Sequence, residues 1–420
     1  MKYKVSYMEI IYAFLILGFI SIELLGKSSI IYLGLFALMA FGVFFKEWIS
    51  GKKKIIINKM NLVWLLFPIS IVIAMRLTDI HWLRPSLMFL FICIIMIVKC
   101  NIYSIGDFEK AIVDVSLVIA VSVFLEWLFT DLFINYIYVW YPASQKWVLL
   151  NQANARAYYS GIMSNVQEAA LLLSTGAIVC LVRNRKISFL VLVSALLLTG
   201  KRAGLFVFII LMLVYILFIR DKQDGTDKKR IKRKYVLLTA GVILVISIVL
   251  LVLLKTNRID MGTIKRFFVF KDFIGMYQSG VGFNYIMDKI LAGRWTTYKQ
   301  SWQFFMENPI RGIGWGNFSL MNYNPYLGES VVNVHNIYLK LLCETGLIGF
   351  LSFIIPAIKS IKYTWSKIKT SENKKIFQIA VLIQLQFLLL GMMEIALDNI
   401  LTFTVYFVSI FIASNIGKKA

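Results

Sequence analysis

Histidine is almost missing from this chain: two of 420 residues, His81 and His335, far apart. Cysteine is scarce too, and Cys93, Cys100, Cys180 and Cys343 lie within or at the ends of apolar segments without CxxC spacing. Neither a disulfide framework nor a zinc site is implied, and no metal-binding cluster is expected. Acidic residues number 22 against 45 Lys and Arg, and charged residues make up only 16% of the chain. No stretch resembles a phosphate-binding loop or a cytoplasmic ATPase motif, which argues against an energised pump and leaves no cofactor to expect.

What is abundant is apolar surface. With 59% hydrophobic residues and a mean hydropathy of +0.76, the chain cannot hide its side chains in soluble cores. It reads as an all-α polytopic membrane protein, a single integral membrane domain over 1–420. Its net charge of +23 sits in short Lys/Arg clusters between apolar runs, the pattern of membrane topology and not of nucleic-acid binding. Runs long enough to cross the bilayer fall near 8–25, 29–46, 60–78, 86–99, 110–130, 161–182, 187–200, 203–219, 235–254, 336–358, 376–393 and 399–416, about twelve transmembrane helices. The first has basic flanks but no small-residue cleavage site, so it is expected to be retained.

Placing the N-terminus in the cytoplasm puts 28 basic residues in cytoplasmic loops and seven in the short loops opposite; the other ten lie in or beside one long segment. The charge rule therefore predicts both termini inside and a large extracytoplasmic loop, 255–335, carrying amphipathic helices. Residues 131–160, rich in Tyr and Trp, read as an interfacial aromatic belt, although a substrate contact stays open. Arg156 stands just before a span, where an arginine either snorkels to headgroups or faces a cavity. The cytoplasmic run from Asp221 to Lys234 reads as a solvated loop facing lipid headgroups.

Three positions on the outer face carry candidate chemistry. Lys201 and Arg202 form the tip of a hairpin flanked by Gly200 and Gly204; they either snorkel or bind. Arg294 opens a predicted amphipathic helix with Trp295, Tyr298, Trp302 and Phe305 on one face, ended by Asn308-Pro309. Gly312, Gly314 and Gly316 lack a βαβ setting, so they read as a close backbone turn and not as a dinucleotide fingerprint. His335 precedes a helix start, where the partial positive charge of the terminus favours a neutral imidazole able to accept a proton. His81 lacks that setting and reads as structural. A neutral base beside arginines suits glycosyl transfer from a lipid diphosphate: guanidinium forks hold the charged leaving group, and the base takes the proton of the attacking hydroxyl.

The segments RWTTYKQSW, ENPIRGIGWGNF and HNIYLKLLCETGLIGF, with the turn TGKRAG, resemble the bacterial O-antigen ligase and O-antigen or capsule polymerase (Wzy-type) superfamily. The resemblance covers 156–359 in motif detail, with Lys201 where that family commonly has serine. It implies transfer of undecaprenyl-diphosphate-linked glycan on the outer face of the cytoplasmic membrane, without metal or nucleotide. It implies Arg202 and Arg294 as diphosphate holders and His335 as the group activating the acceptor; Lys201, Arg311, Arg156 and Asn336 are further candidates, and Glu394 and Asp398, carboxylates near the outer end of the last hairpin, either function or only pair with an arginine. A polymerase extending a lipid-linked repeat unit is the first expectation. A ligase delivering finished glycan to lipid A core, protein or another acceptor is the second, and a glycolipid flippase or transporter the third. The partners expected are lipid-linked oligosaccharide donor and acceptor, membrane lipids, a chain-length regulator and a flippase.

Overall fold

The computed structural model describes residues 62–74, 102–219 and 275–416, apart from 142, 156–157, 164, 277, 281, 292, 322, 325–328, 331–332, 395–396 and 398–399. Arg156, Asp398, His81 and the expected spans at 8–25, 29–46, 86–99 and 235–254 lie outside the described residues. The described part is helical apart from one antiparallel pair of two-residue strands, β1 (Tyr323–Asn324) and β2 (Glu329–Ser330). Five helices among the described residues are long and apolar enough to cross a membrane, and two shorter apolar helices accompany them. The chain divides into two compact units.

In chain order the principal helices are α1 (Leu66–Ala74), α2 (Ile102–Leu128), α3 (Ala143–Leu150), α4 (Val166–Arg183), α5 (Lys186–Leu198), α6 (Arg202–Val214), α7 (Phe283–Ile290), α8 (Arg294–Glu307), α9 (Asn317–Met321), α10 (Ile337–Thr370), α11 (Lys374–Gly391) and α12 (Ile400–Ile416). The first unit holds α2 to α6 and residues 373–383; the second holds α1, α7 to α10 and residues 384–416.

In the first unit, α2, α4 and α5 pack on one another around Ile112, Ile119, Leu172, Ile178 and Leu192. Small residues permit the close approach expected of helices in lipid. The Gly176 backbone lies against Ser116, whose hydroxyl donates to the Leu172 carbonyl at 2.8 Å. Gly204, expected to help turn the hairpin, is instead helical and packs against Ala170. The turn is made by Gly200 alone, at φ +64°. A cysteine at the α4–α5 end, Cys180, is buried and free.

The span expected at 161–182 begins later, at Val166, because residues 158–163 form a strap bonded to neighbouring helices. The Gly161 N–H donates to Glu126 Oε2 at 2.5 Å, the Ile162 N–H donates to Ser122 Oγ at 3.1 Å, and the Tyr159 N–H donates to the Leu198 carbonyl at 3.3 Å. Asn165 then caps α4 through the Gln167 N–H. The aromatic segment before the strap divides its rings: Tyr136, Trp140 and Trp147 are exposed, as an interfacial belt requires, whereas Tyr138 is buried with its hydroxyl on Glu126.

The core of the second unit is aromatic. Trp64, Phe67, Phe353, Phe387, Tyr406 and Phe407 meet mostly edge to face, and Phe387 stacks on Tyr406 at 4.1 Å. The Trp64 indole donates to Ser360 Oγ at 3.0 Å, so its one polar atom is satisfied within the bundle.

The span expected at 336–358 extends to Thr370, and it is not one helix. Gly346 breaks α10 with φ +63° and ψ −165°. An unbroken helix would bond the Leu347 and Ile348 N–H groups to the carbonyls of Cys343 and Glu344. Here the loop after α8 supplies all four partners. The Leu347 N–H donates to Pro309 O at 2.9 Å and the Ile348 N–H donates to Ile310 O at 3.4 Å. The Ile313 and Gly314 N–H groups donate to Cys343 O at 2.9 Å and Glu344 O at 3.0 Å. A β-carbon at Gly312 or Gly346 would fall on this joint, which explains why glycine stands at both.

Candidate functional site

Helix α8 starts at Arg294, after Gly293 in the left-handed conformation, and stops at Asn308 before proline, as its sequence predicts. Its packed face differs from the expected aromatic stripe. Thr297, Ser301 and Phe305 are buried, Tyr298 is partly buried and Trp302 is exposed. That face brings Arg294 and Tyr298, four residues apart, to two other segments: the start of α10 and the turn after α11.

Three segments are tied to one another there. The Arg294 guanidinium donates to the Met393 carbonyl at 2.7 Å, and another of its nitrogens lies 3.9 Å from Glu394 Oε2. The Tyr298 hydroxyl donates to the His335 carbonyl at 3.1 Å. The Asn336 side-chain amide donates to the Met392 carbonyl at 3.3 Å. Its oxygen caps α10 by accepting from the N–H groups of Tyr338 at 2.9 Å and Leu339 at 3.1 Å, a cap of about 1 kcal/mol.

His335 Nδ1 stands 3.7 Å from Glu394 Oε2 and has no hydrogen-bond partner. The N–H groups of Tyr338 and Leu339 at the start of α10 are taken by Asn336, and the charge facing the ring is this carboxylate. A carboxylate facing Nδ1 favours the tautomer with hydrogen on that nitrogen, which leaves Nε2 to accept a proton. Arg294 and His335 are partly exposed at the side chain and reachable from solvent, whereas Glu394 is buried behind them. The Tyr298 phenol is pushed above its ordinary value, first by burial and then by Glu394, with Arg294 opposing, and so remains a donor.

The structure therefore brings together Arg294, His335, Asn336 and Glu394. Arg311 is exposed and lies past the far end of α8, about 20 Å along the helix from Arg294. Lys201 and Arg202 belong to the first unit, where Lys201 is the N-cap residue and Arg202 the first residue of α6. Their turn is fixed by Gly200, whose Cα lies against the Tyr158 ring.

Two features had no warning in the sequence reading. One is the Tyr298 bond to the His335 backbone, whose only signal is its spacing of four from Arg294. The other is a buried pair one and two turns into α10. Lys340 Nζ lies 3.7 Å from Glu344 Oε2 and 5.1 Å above the Trp315 ring. Glu344 also accepts from the Gly316 N–H at 3.0 Å and the Phe318 N–H at 3.4 Å, pinning the glycine turn and the start of α9.

A membrane protein that is helical over nearly all its described residues, with an Arg–Glu–His cluster at the start of a broken span, is the class these observations define. Residues 187–354 match the family described as O-antigen ligase, from α5 through the first part of α10. That match bears out the resemblance: over this span the chain is similar to the O-antigen ligase and Wzy-type superfamily, whose members are membrane enzymes of glycan ligation and polymerisation. The matched span holds Lys201, Arg202, Arg294, Arg311, His335 and Asn336, while Glu394 lies beyond it. No curated protein matches the chain.

Proposed function

We propose that this chain is a polysaccharide polymerase that moves undecaprenyl-diphosphate-linked glycan onto a lipid-linked repeat unit at the outer face of the cytoplasmic membrane. The observation that carries the reading is the placement of Arg294 and His335 around one carboxylate, inside a span similar to the glycan ligation and polymerisation family.

In this reading the acceptor sugar hydroxyl attacks the anomeric carbon of the donor. Its proton passes to His335 Nε2, the new glycosidic bond forms, and the bond to the diphosphate oxygen breaks. The lipid diphosphate leaves with its charge held by Arg294, whose guanidinium presents a fork of donors to phosphate oxygens. Attack opposite the leaving group inverts the anomeric centre. Glu394 acts as a positioning residue, turning the imidazole and stabilising it once protonated, in the manner of a triad carboxylate. The reaction needs no metal or nucleotide, because the leaving group is already a stabilised anion.

The description of the matched family favours a second reading within the same chemistry, a ligase passing finished glycan to a separate acceptor. A reconstituted assay separates them. Purified protein in proteoliposomes with chelator receives a synthetic diphosphate-linked repeat unit as sole substrate, and products are sized on a gel. A ladder lost in His335→Ala supports the polymerase. Absence of products until a different acceptor is added makes it a ligase, and absence under all conditions from folded protein overturns both.

A further inference from the structure

The joint in α10 has a depth that can be worked out. From Gly346 to Lys359, the first exposed lysine of the long half, is thirteen residues of continuous helix, about 20 Å. A hydrocarbon core is about 30 Å thick. With Lys359 at one boundary, the joint lies inside the core, roughly 10 Å below the other boundary. Non-helical backbone is tolerated there only if its polar groups are satisfied by protein. The four bonds from Pro309, Ile310, Ile313 and Gly314 satisfy them, so that loop must reach the same depth.

Side-chain exposure agrees. Leu347, Ile348 and Leu351 of α10, a helix apolar enough to span, are 43%, 42% and 45% exposed. Joined to them through the Leu347 and Ile348 bonds is the end of α8, where Met306 and Ile310 are 62% and 64% exposed. The apolar surface thus continues from a membrane-spanning helix onto a segment that sequence alone places in the extracytoplasmic loop, on an amphipathic helix. Arg311, exposed beside it, is long enough to keep its charge at headgroup level, and Glu307 Oε1 accepts from the Gln303 amide at 3.0 Å.

The geometry points to a re-entrant segment: the end of α8 and the turn Pro309–Gly314 enter the hydrocarbon from the side bearing Arg294 and His335, and Met306 and Ile310 face acyl chains. The occupant of this surface is the lipid of that leaflet. The inference does not depend on the transfer reaction.

The test is depth measurement in proteoliposomes. Single cysteines at Met306, Ile310, Leu351 and Lys299, in a background with the four native cysteines replaced by alanine, are nitroxide-labelled and compared for collision with oxygen and with a water-soluble nickel complex. Met306→Cys and Ile310→Cys are expected to favour oxygen several-fold, like Leu351→Cys, while Lys299→Cys favours nickel. Nickel access at Met306→Cys and Ile310→Cys equal to that at Lys299→Cys overturns the inference. If the cysteine-free background fails to fold, a photocrosslinking phenylalanine at Ile310 in the native chain serves instead. A lipid adduct by mass supports the re-entrant segment, and irradiated folded protein without one refutes it.

Discussion

Replacing Gly346 by alanine tests whether the break in α10 is held by the loop that fills it. The backbone there has φ +63° and ψ −165°, a region only glycine occupies readily, so any side chain costs about 1–3 kcal/mol of strain. An added β-carbon would also stand 2.3 Å from the Ile310 carbonyl oxygen and 2.7 Å from the Arg311 nitrogen. Both are backbone atoms, so the loop must withdraw. Withdrawal breaks the bonds from the Leu347 and Ile348 N–H groups, and each orphaned buried donor costs about 1–3 kcal/mol. The combined penalty is on the order of 3–9 kcal/mol, a large share of the stability of an ordinary domain. The assay is thermal unfolding of detergent-solubilised protein, read by loss of the monodisperse chromatographic peak. Gly106→Ala is the control: it is helical, its added carbon meets nothing, and it should be neutral or stabilising by up to about 1 kcal/mol. A Gly346→Ala protein that melts with wild type would refute the account of the joint.

His335→Ala should cut transfer by roughly 10²–10⁴-fold while insertion and melting stay unchanged; near-normal rates in folded protein would remove it as the base. Arg294→Ala should weaken capture of a fluorescent lipid diphosphate, and unchanged binding would dismiss it as the holder. Glu394→Gln should lower kcat by roughly 10–10³-fold without raising the donor KM, because Arg294 loses a competing partner as His335 loses its orienting one. A raised KM with normal kcat would contradict that role. Tyr298→Phe should cost about 5-fold in kcat, the worth of one hydrogen bond to the His335 carbonyl. The phenol, held above its ordinary value, stays protonated below about pH 10, so this loss should be the same from about pH 6 to 9. A loss confined to one end of that range would show another group titrating.

The parts of the site that local rules govern were readable in advance. Arg294 begins α8 and Asn308-Pro309 ends it because glycine and proline fix the backbone on either side. The glycines at 312, 314 and 316 do turn, at φ +69°, +104° and +81°. Other features depend on partners distant in sequence. LLCETGLIGF scans as continuous helix, and only the loop packed into it accounts for the break at Gly346. Residues 161–163 are apolar enough to seem part of a span, but Ser122 and Glu126, some 40 residues earlier, claim their backbone. Trp302 shares a helical stripe with Phe305, yet one is exposed and the other buried, since hydrophobicity marks a face without telling lipid from protein. Glu394 was only a secondary candidate because nothing local places it beside Arg294 and His335.

The break in α10 also changes the mechanics of the site. An unbroken rod from Ile337 to Thr370 would be a lever about 50 Å long, and any rocking of its far end would sweep His335 and Asn336 through a wide arc. Interrupted at Gly346, the piece bearing them is nine residues, about 13 Å. It is moored to α8 through the Tyr298 bond at the neighbouring His335 carbonyl, to the turn after α11 by Asn336, and to the glycine loop by Glu344. The loop that fills the joint bonds both to the last carbonyls of the short half and to the first N–H groups of the long half, so a displacement of the long half reaches His335 and Asn336 through that loop and not along one continuous rod.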